Sequence, residues 1–136
     1  MTGRDVARLI NAGRIGLGLA LVLAPRRMGR GWIGASAQAP GVTAMARALG
    51  IRDAVLGAIA LHTIDNPQVG PRWQRTLALV DGVDLVATLG ARRGLPRFGV
   101  ASVVVMAGAA TGAQLWAAGQ LAPVAAEPGG ASTDPS

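Results

Sequence analysis

The sequence predicts an all-α fold, a bundle of four transmembrane helices. Three observations predict it: four apolar stretches near bilayer length, Gly/Pro-rich breaks between them, and ionisable residues inside them whose charges balance. The 136 residues are 51% hydrophobic and only 3% aromatic, with a mean hydropathy of +0.41. That is too apolar for a disordered chain and suits a single domain. The expected division is a helical membrane domain over 1–126 and a disordered tail over 127–136, because EPGGASTDPS is rich in Pro, Gly and Ser.

The first stretch runs from Val6 to Ala24 and stops at Pro25, which has no N–H for a continuing helix. A cleaved signal peptide does not fit, since Pro25, Arg26 and Arg27 stand where the small residues of a cleavage site belong. The connection Pro25–Val42 holds Gly29, Gly31, Gly34, Pro40 and Gly41. It reads as a glycine-rich loop anchored by Trp32, with an amphipathic interfacial piece around Trp32 as the alternative. The second stretch spans Thr43–Thr63 and ends in the break formed by Asp65, Asn66, Pro67, Gly70 and Pro71. The third, Trp73–Gly90, is the weakest spanner: it carries Asp81 and Asp84 in about 18 residues, the lower end of bilayer length. The fourth, Phe98–Ala126, holds no charge and exceeds the roughly 20 residues a crossing needs.

The net charge is +6 and every basic residue is arginine, a bias that together with abundant Ala, Gly and Val suggests a high-GC bacterial origin. A computed pI of about 11.8 invites a nucleic-acid reading. The arginines lie instead on loop flanks, with no interleaved aromatics to stack on bases, and nucleic acid is not an expected partner. Arg26, Arg27 and Arg30 follow the first stretch and Arg92, Arg93 and Arg97 follow the third. By the positive-inside rule both loops are cytoplasmic and both termini extracytoplasmic, in a multi-pass protein of the bacterial inner membrane. Arg4, Arg72 and Arg75 on the other side make the margin small.

The absence of cysteine excludes disulfides, thiolate metal sites and thiol redox chemistry on this chain. His62 is the only histidine and reads as a solvated helix-end residue, with a proton-entry group as the alternative. Ser36 and Ser102 have no base arrangement that suggests a nucleophilic triad. Gly13, Gly16 and Gly18 lack the βαβ context of a dinucleotide fingerprint and read as helix packing positions. Asp81 and Asp84 offer too few oxygens for a hard cation, and facing arginines would repel one. No catalytic residue, cofactor or metal is expected.

The candidate site is a network of intramembrane charges: Arg14, Arg47, Arg52, Asp53, Asp81 and Asp84. A charge at the centre of a spanning helix costs about 2.5–3.5 kcal/mol on insertion scales, so it faces a partner, the bundle interior or water. In antiparallel neighbours, residues at one depth have a constant sum of numbers. Arg47 with Asp84 and Arg52 with Asp81 have nearly equal sums, so two ion pairs are expected between the second and third stretches. Arg14 and Asp53 match in depth and form the expected third pair, with Asn11 one turn away and able to join it. Three positive charges then offset three negative ones, leaving no spare carboxylate to carry protons.

Small residues suit close helix packing. Ala46, Gly50, Ala54 and Ala58 recur every fourth position, and Gly108-x-x-x-Gly112 lies beside Ala109, Ala113 and Ala117. The second motif either joins helices within one chain or makes a homodimer through Gly108 and Gly112.

ARALGIRDAVLGAIAL from Ala46, with its Gly50, Arg52 and Asp53, and LALVDGVDLVATLG from Leu77 resemble small uncharacterised four-helix membrane proteins of high-GC bacteria, broadly DoxX-like. The resemblance covers about residues 6–120 and implies the fold and a role as an accessory subunit of membrane redox partners. The missing cysteine and cofactor motifs do not support direct redox chemistry. The expected function is a non-enzymatic accessory or interaction module in the lipid bilayer, with another membrane protein or anionic lipid as partner. The alternatives are a small transporter or proton-conducting bundle using Asp81 or Asp84, and a soluble four-helix protein.

Overall fold

The chain starts helical at once because Thr2 and Asp5 cap each other. The Asp5 amide donates to Thr2 Oγ1 at 3.2 Å and the Thr2 amide to Asp5 Oδ2 at 2.8 Å, a capping box that satisfies two orphan donors. From there the computed structural model, which describes residues 1–122, is helical with no strand among the described residues. Helix α1 covers Gly3–Leu23, α2 Pro25–Ile33, α3 Pro40–Thr63, α4 Gly70–Gly90 and α5 Arg97–Leu121. Single 3₁₀ pieces follow α2 and α4, at Gly34–Gln38 and Arg92–Gly94. The tail expected from Glu127 lies outside the described residues.

The connection read as a loop is the main correction. Pro25–Ile33 is a helix: Pro25 supplies the first-turn φ and needs no N–H there. Gly29 lets α2 close on the chain that follows, since a Cβ at that position would be 3.1 Å from Ala37 Cβ. Gly34, at φ +68°, then turns the chain out of the helix in a conformation favoured by glycine. Helices α3 and α4 also begin three residues before the expected starts, each with a proline in its first turn.

The four long helices run up, down, up and down, with α1 packed most closely on α3 and α4 on α5. Helix α1 also meets α5, whereas α3 and α4, consecutive in the chain, touch only lightly. Thus α1 and α4 face each other across the middle, where polar side chains bridge the space. Two helices, α1 and α5, are long and apolar enough to cross a membrane. Their hydropathy alone does not extend that statement to α3 and α4, which carry internal charges.

The distribution of side chains is inverted relative to a water-soluble core. Most buried positions are small or polar, among them Ala7, Ala60, Ala78, Ala117, Asn11, Gln74 and Gln114, with Leu21, Ile64 and Leu77 the large apolar exceptions. Large apolar residues point outward: Phe98 is 75% exposed, Leu79 and Val86 69%, Val105 68%. The closest seam joins α1 and α3. A Cβ on Gly50 would lie 2.5 Å from the Gly18 carbonyl oxygen, and one on Gly57 2.8 Å from Ile15 Cγ1. Of the alanines expected with Gly50, Ala54 joins this seam and Ala58 is exposed; of Gly13, Gly16 and Gly18, only Gly18 has close neighbours there. Gly108 and Gly112 have nothing within 4 Å of a Cβ among the described residues.

Candidate functional site

The light contact between α3 and α4 and the facing of α1 and α4 decide where the charges meet. Arg14 leaves the middle of α1 toward the interior, where its side chain is only 8% exposed. One terminal nitrogen donates to Asp81 Oδ2 on α4 at 2.5 Å and the other lies 3.5 Å from Asp53 Oδ1 on α3. Asp81 Oδ2 also accepts from Gln114 Nε2 on α5 at 2.9 Å, so all four long helices contribute. Asp53 then links outward to Arg52, at 3.1 Å from Nη2. The same Nη2 donates to Asp84 Oδ2 at 2.7 Å, and the Arg52–Asp84 pair is half-buried, 38% and 39% exposed. The result is a continuous chain of charge, from Asp81 in the centre, which Gln114 also binds, through Arg14 and Asp53 to Arg52 and Asp84 at the α3–α4 gap.

Arg14 and Asp53 come together as the depth argument expects. The other two pairings do not form: Asp84 binds Arg52 instead of Arg47, and Asp81 binds Arg14 instead of Arg52. Equal depth pairs these residues only where α3 and α4 are tightly packed neighbours, and here α1 competes for Asp81 from across the bundle. The long Arg52 side chain then reaches Asp84. Arg47 lies outside the network. It is exposed and its Nε donates to the Val22 carbonyl at 3.3 Å, one of the last-turn oxygens of α1 that lack an intrahelical donor.

This removal changes the charge balance. Two guanidiniums, Arg14 and Arg52, face three carboxylates, Asp53, Asp81 and Asp84. The neutral network expected from the sequence therefore carries one excess negative charge when every carboxylate is ionised. Asp81 and Asp84 are each engaged by a guanidinium, and no group of three metal-ligating side chains forms among the described residues.

Two buried amides, Gln74 and Gln114, belong to the site, and charge patterning does not reveal them. Asn11, expected to join Arg14, instead donates from Nδ2 to the Ala7 carbonyl at 2.8 Å and to Gln74 Oε1 at 3.3 Å. Gln74 and Asp81, seven residues apart, share a face of α4, which is the signal that could have found Gln74. Gln114 is a polar residue deep in the uncharged fourth stretch. Four atoms in this group, Asn11 Oδ1, Arg14 Nε, Gln74 Nε2 and Gln114 Oε1, are buried without a hydrogen-bond partner among the described residues. Two are acceptors and two donors, a set that bridging water can satisfy. His62, by contrast, is exposed at the end of α3. Comparison of the chain with protein-family models, with curated proteins and with solved structures finds no match.

Proposed function

We propose that this chain is a small integral membrane protein whose four long helices cross the bilayer. In this reading it acts as a non-enzymatic accessory or interaction module. The observation that carries the reading is the inverted packing: most large apolar side chains outside, and an interior of mainly small residues, amides and paired charges with Leu21, Ile64 and Leu77. Lipid offers apolar side chains a solvent and polar groups none, so helices associate through close backbone approach and polar contacts. On the same grounds α3 and α4 also span the bilayer. At about 36 and 32 Å they are long enough, and Asp53, Asp81 and Arg14 meet one another away from lipid. The half-exposed Arg52–Asp84 pair, beside exposed Ile51, Val55 and Val83, supports a covering partner, because a charged pair on a lipid-facing surface is costly. A broadly DoxX-like accessory role agrees with this reading.

A second reading, a proton-conducting bundle, draws support from the excess carboxylate and from the chain of charges that reaches the α3–α4 gap. One experiment separates the two. Proteoliposomes of the wild type and of an Asp81→Asn/Asp84→Asn variant are given a pH gradient. The module reading expects no flux in either and a less stable variant in detergent. Flux in the wild type that disappears in a folded variant overturns it in favour of conduction.

A further inference from the structure

The described residues are electrically lopsided. Among them, Asp5 and Asp65 lie at the end where α1 begins, and Asp65 there binds both Arg4, at 3.2 Å, and Arg8, at 3.1 Å. Asp53, Asp81 and Asp84 are held in the interior network. The opposite end gathers Arg26, Arg27 and Arg30 on α2 and Arg92, Arg93 and Arg97 around the start of α5, with no ion pair to any of them among the described residues. The two groups share that end because Gly99 of α5 packs on the Trp32 carbonyl and Gly34 on Pro96.

Loop arginines alone orient a membrane protein and need no ligand. Arg26 and Arg27 do more, because they converge with Arg47 on one groove. Arg26 and Arg27 occupy the first turn of α2, whose N-cap is Ala24 with no side-chain acceptor. Cations in a first turn oppose the helix dipole, an arrangement an anion relieves. Arg47 approaches from α3 and, with Arg26, Arg27, Thr43 and Leu23, lines a groove of about 330 Å³. Only its Nε is engaged, on the Val22 carbonyl, which leaves its two terminal nitrogens unbonded among the described residues. The groove opens beside Leu23, 81% exposed at the last turn of α1.

We propose that this groove binds the phosphate of an anionic phospholipid headgroup, with Arg26, Arg27 and Arg47 on the phosphate oxygens and Leu23 beside the glycerol and upper acyl chain. Guanidinium forks match phosphate oxygens, and an apolar wall at the end of a spanning helix matches the boundary between headgroup and chain. A free phosphate would make no use of Leu23. The assignment rests on the membrane reading above and names its lipid partner.

Native mass spectrometry of the full chain in detergent, with phosphatidylglycerol and phosphatidylcholine offered equally, tests it. The wild type is expected to retain phosphatidylglycerol preferentially. Arg26→Gln/Arg27→Gln/Arg47→Gln should weaken that retention by about a hundredfold, at roughly fivefold per arginine, while Arg92→Gln/Arg93→Gln leaves most of it. Helicity by circular dichroism checks each fold. If the triple variant does not fold, Arg47→Gln alone, on an exposed side chain, is expected to lose about fivefold. Equal retention of both lipids, or equal loss in the two arginine variants, overturns the site. Competition by inorganic phosphate at millimolar concentration overturns the lipid assignment in favour of a free anion. Alkaline extraction of the membranes keeps the two readings apart. A chain released into the supernatant overturns membrane integration and the lipid site together; a chain kept in the pellet without lipid preference overturns the site alone.

Discussion

Two sets of helix glycines in this molecule are alike in composition and opposite in structure. Gly18, Gly50 and Gly57 lie in the α1–α3 seam, where a Cβ on any of them would come within 3 Å of a neighbouring atom. Gly108 and Gly112 form the more familiar G-x-x-x-G spacing, yet a Cβ on either has nothing within 4 Å among the described residues. Spacing reports that a helix can be approached, and only the partner's position decides whether it is. The seam also has a polar inner edge, Arg14 against Asp53 and Asp81, whereas the outer face of α5 carries Phe98, Val105 and Trp116 and no charge. The seam is therefore specified twice, by fit and by charge, and the outer face not at all within one chain.

The largest effect should come from the electrostatic half of the seam. Arg14→Leu leaves Asp53 and Asp81 buried without their shared cation, and removing one partner of a buried pair costs about 3–5 kcal/mol. Arg47→Leu, an equal loss of charge outside the network, forfeits one exposed hydrogen bond worth about 0.5–1.5 kcal/mol. Denaturant-driven unfolding in detergent micelles, read by circular dichroism, compares them. Adding Asp81→Leu to Arg14→Leu should recover part of the loss. Equal destabilisation by the Arg14 and Arg47 variants would mean that the pairing seen here does not organise the bundle.

The steric half is next. Gly50→Ala brings a methyl group to 2.5 Å from the Gly18 carbonyl oxygen and 2.9 Å from Leu21 Cβ. Part of the first contact is backbone, so the helices must separate, at a cost of about 1–3 kcal/mol. Because α1 carries Arg14, the separation should also loosen the ion pairs, and Gly50→Ala combined with Arg14→Leu should cost less than the sum of the two. Strict additivity would uncouple packing from charge.

Much of this frame was legible in the sequence. The four long helices follow from apolar runs and their Pro/Gly breaks, and the balanced charges pointed to an interior network. The network's wiring was not legible, because depth along a helix says nothing about which helices are neighbours. Arg47 and Asp84 match in depth, but the thin α3–α4 contact and the open end of α1 sent Arg47 to the Val22 carbonyl. Helix α2 corresponds to the alternative reading, an amphipathic piece around Trp32, which stood behind a glycine-rich loop because PRRMGRGWI has two glycines and no apolar run. Its stability comes from Pro25 at the start and from closure of Gly29 on Ala37, neither of which periodicity records. Gln74 and Gln114 escaped because uncharged amides do not stand out in a search for charges, although in a nonpolar surround they must find partners just as charges do.

The smallest effect is the one that reverses sign. Gly112→Ala makes the same chemical change as Gly50→Ala on a face with no neighbour within 4 Å among the described residues. Alanine is the better helix former by about 0.8–1.0 kcal/mol and limits the unfolded chain, so the variant should unfold at an equal or slightly higher denaturant concentration. Cross-linking in detergent then reads the homodimer expected through Gly108 and Gly112. Bulk tests it harder than a methyl group does: Gly108→Leu/Gly112→Leu should leave monomer stability unchanged within about 1 kcal/mol and abolish any cross-linked dimer, because small residues are what allow two backbones to approach. A dimer that survives the leucines assigns self-association to another face. A loss of stability on Gly112→Ala comparable to that of Gly50→Ala would mean that α5 is covered by the chain itself, and the contrast between the two sets would disappear.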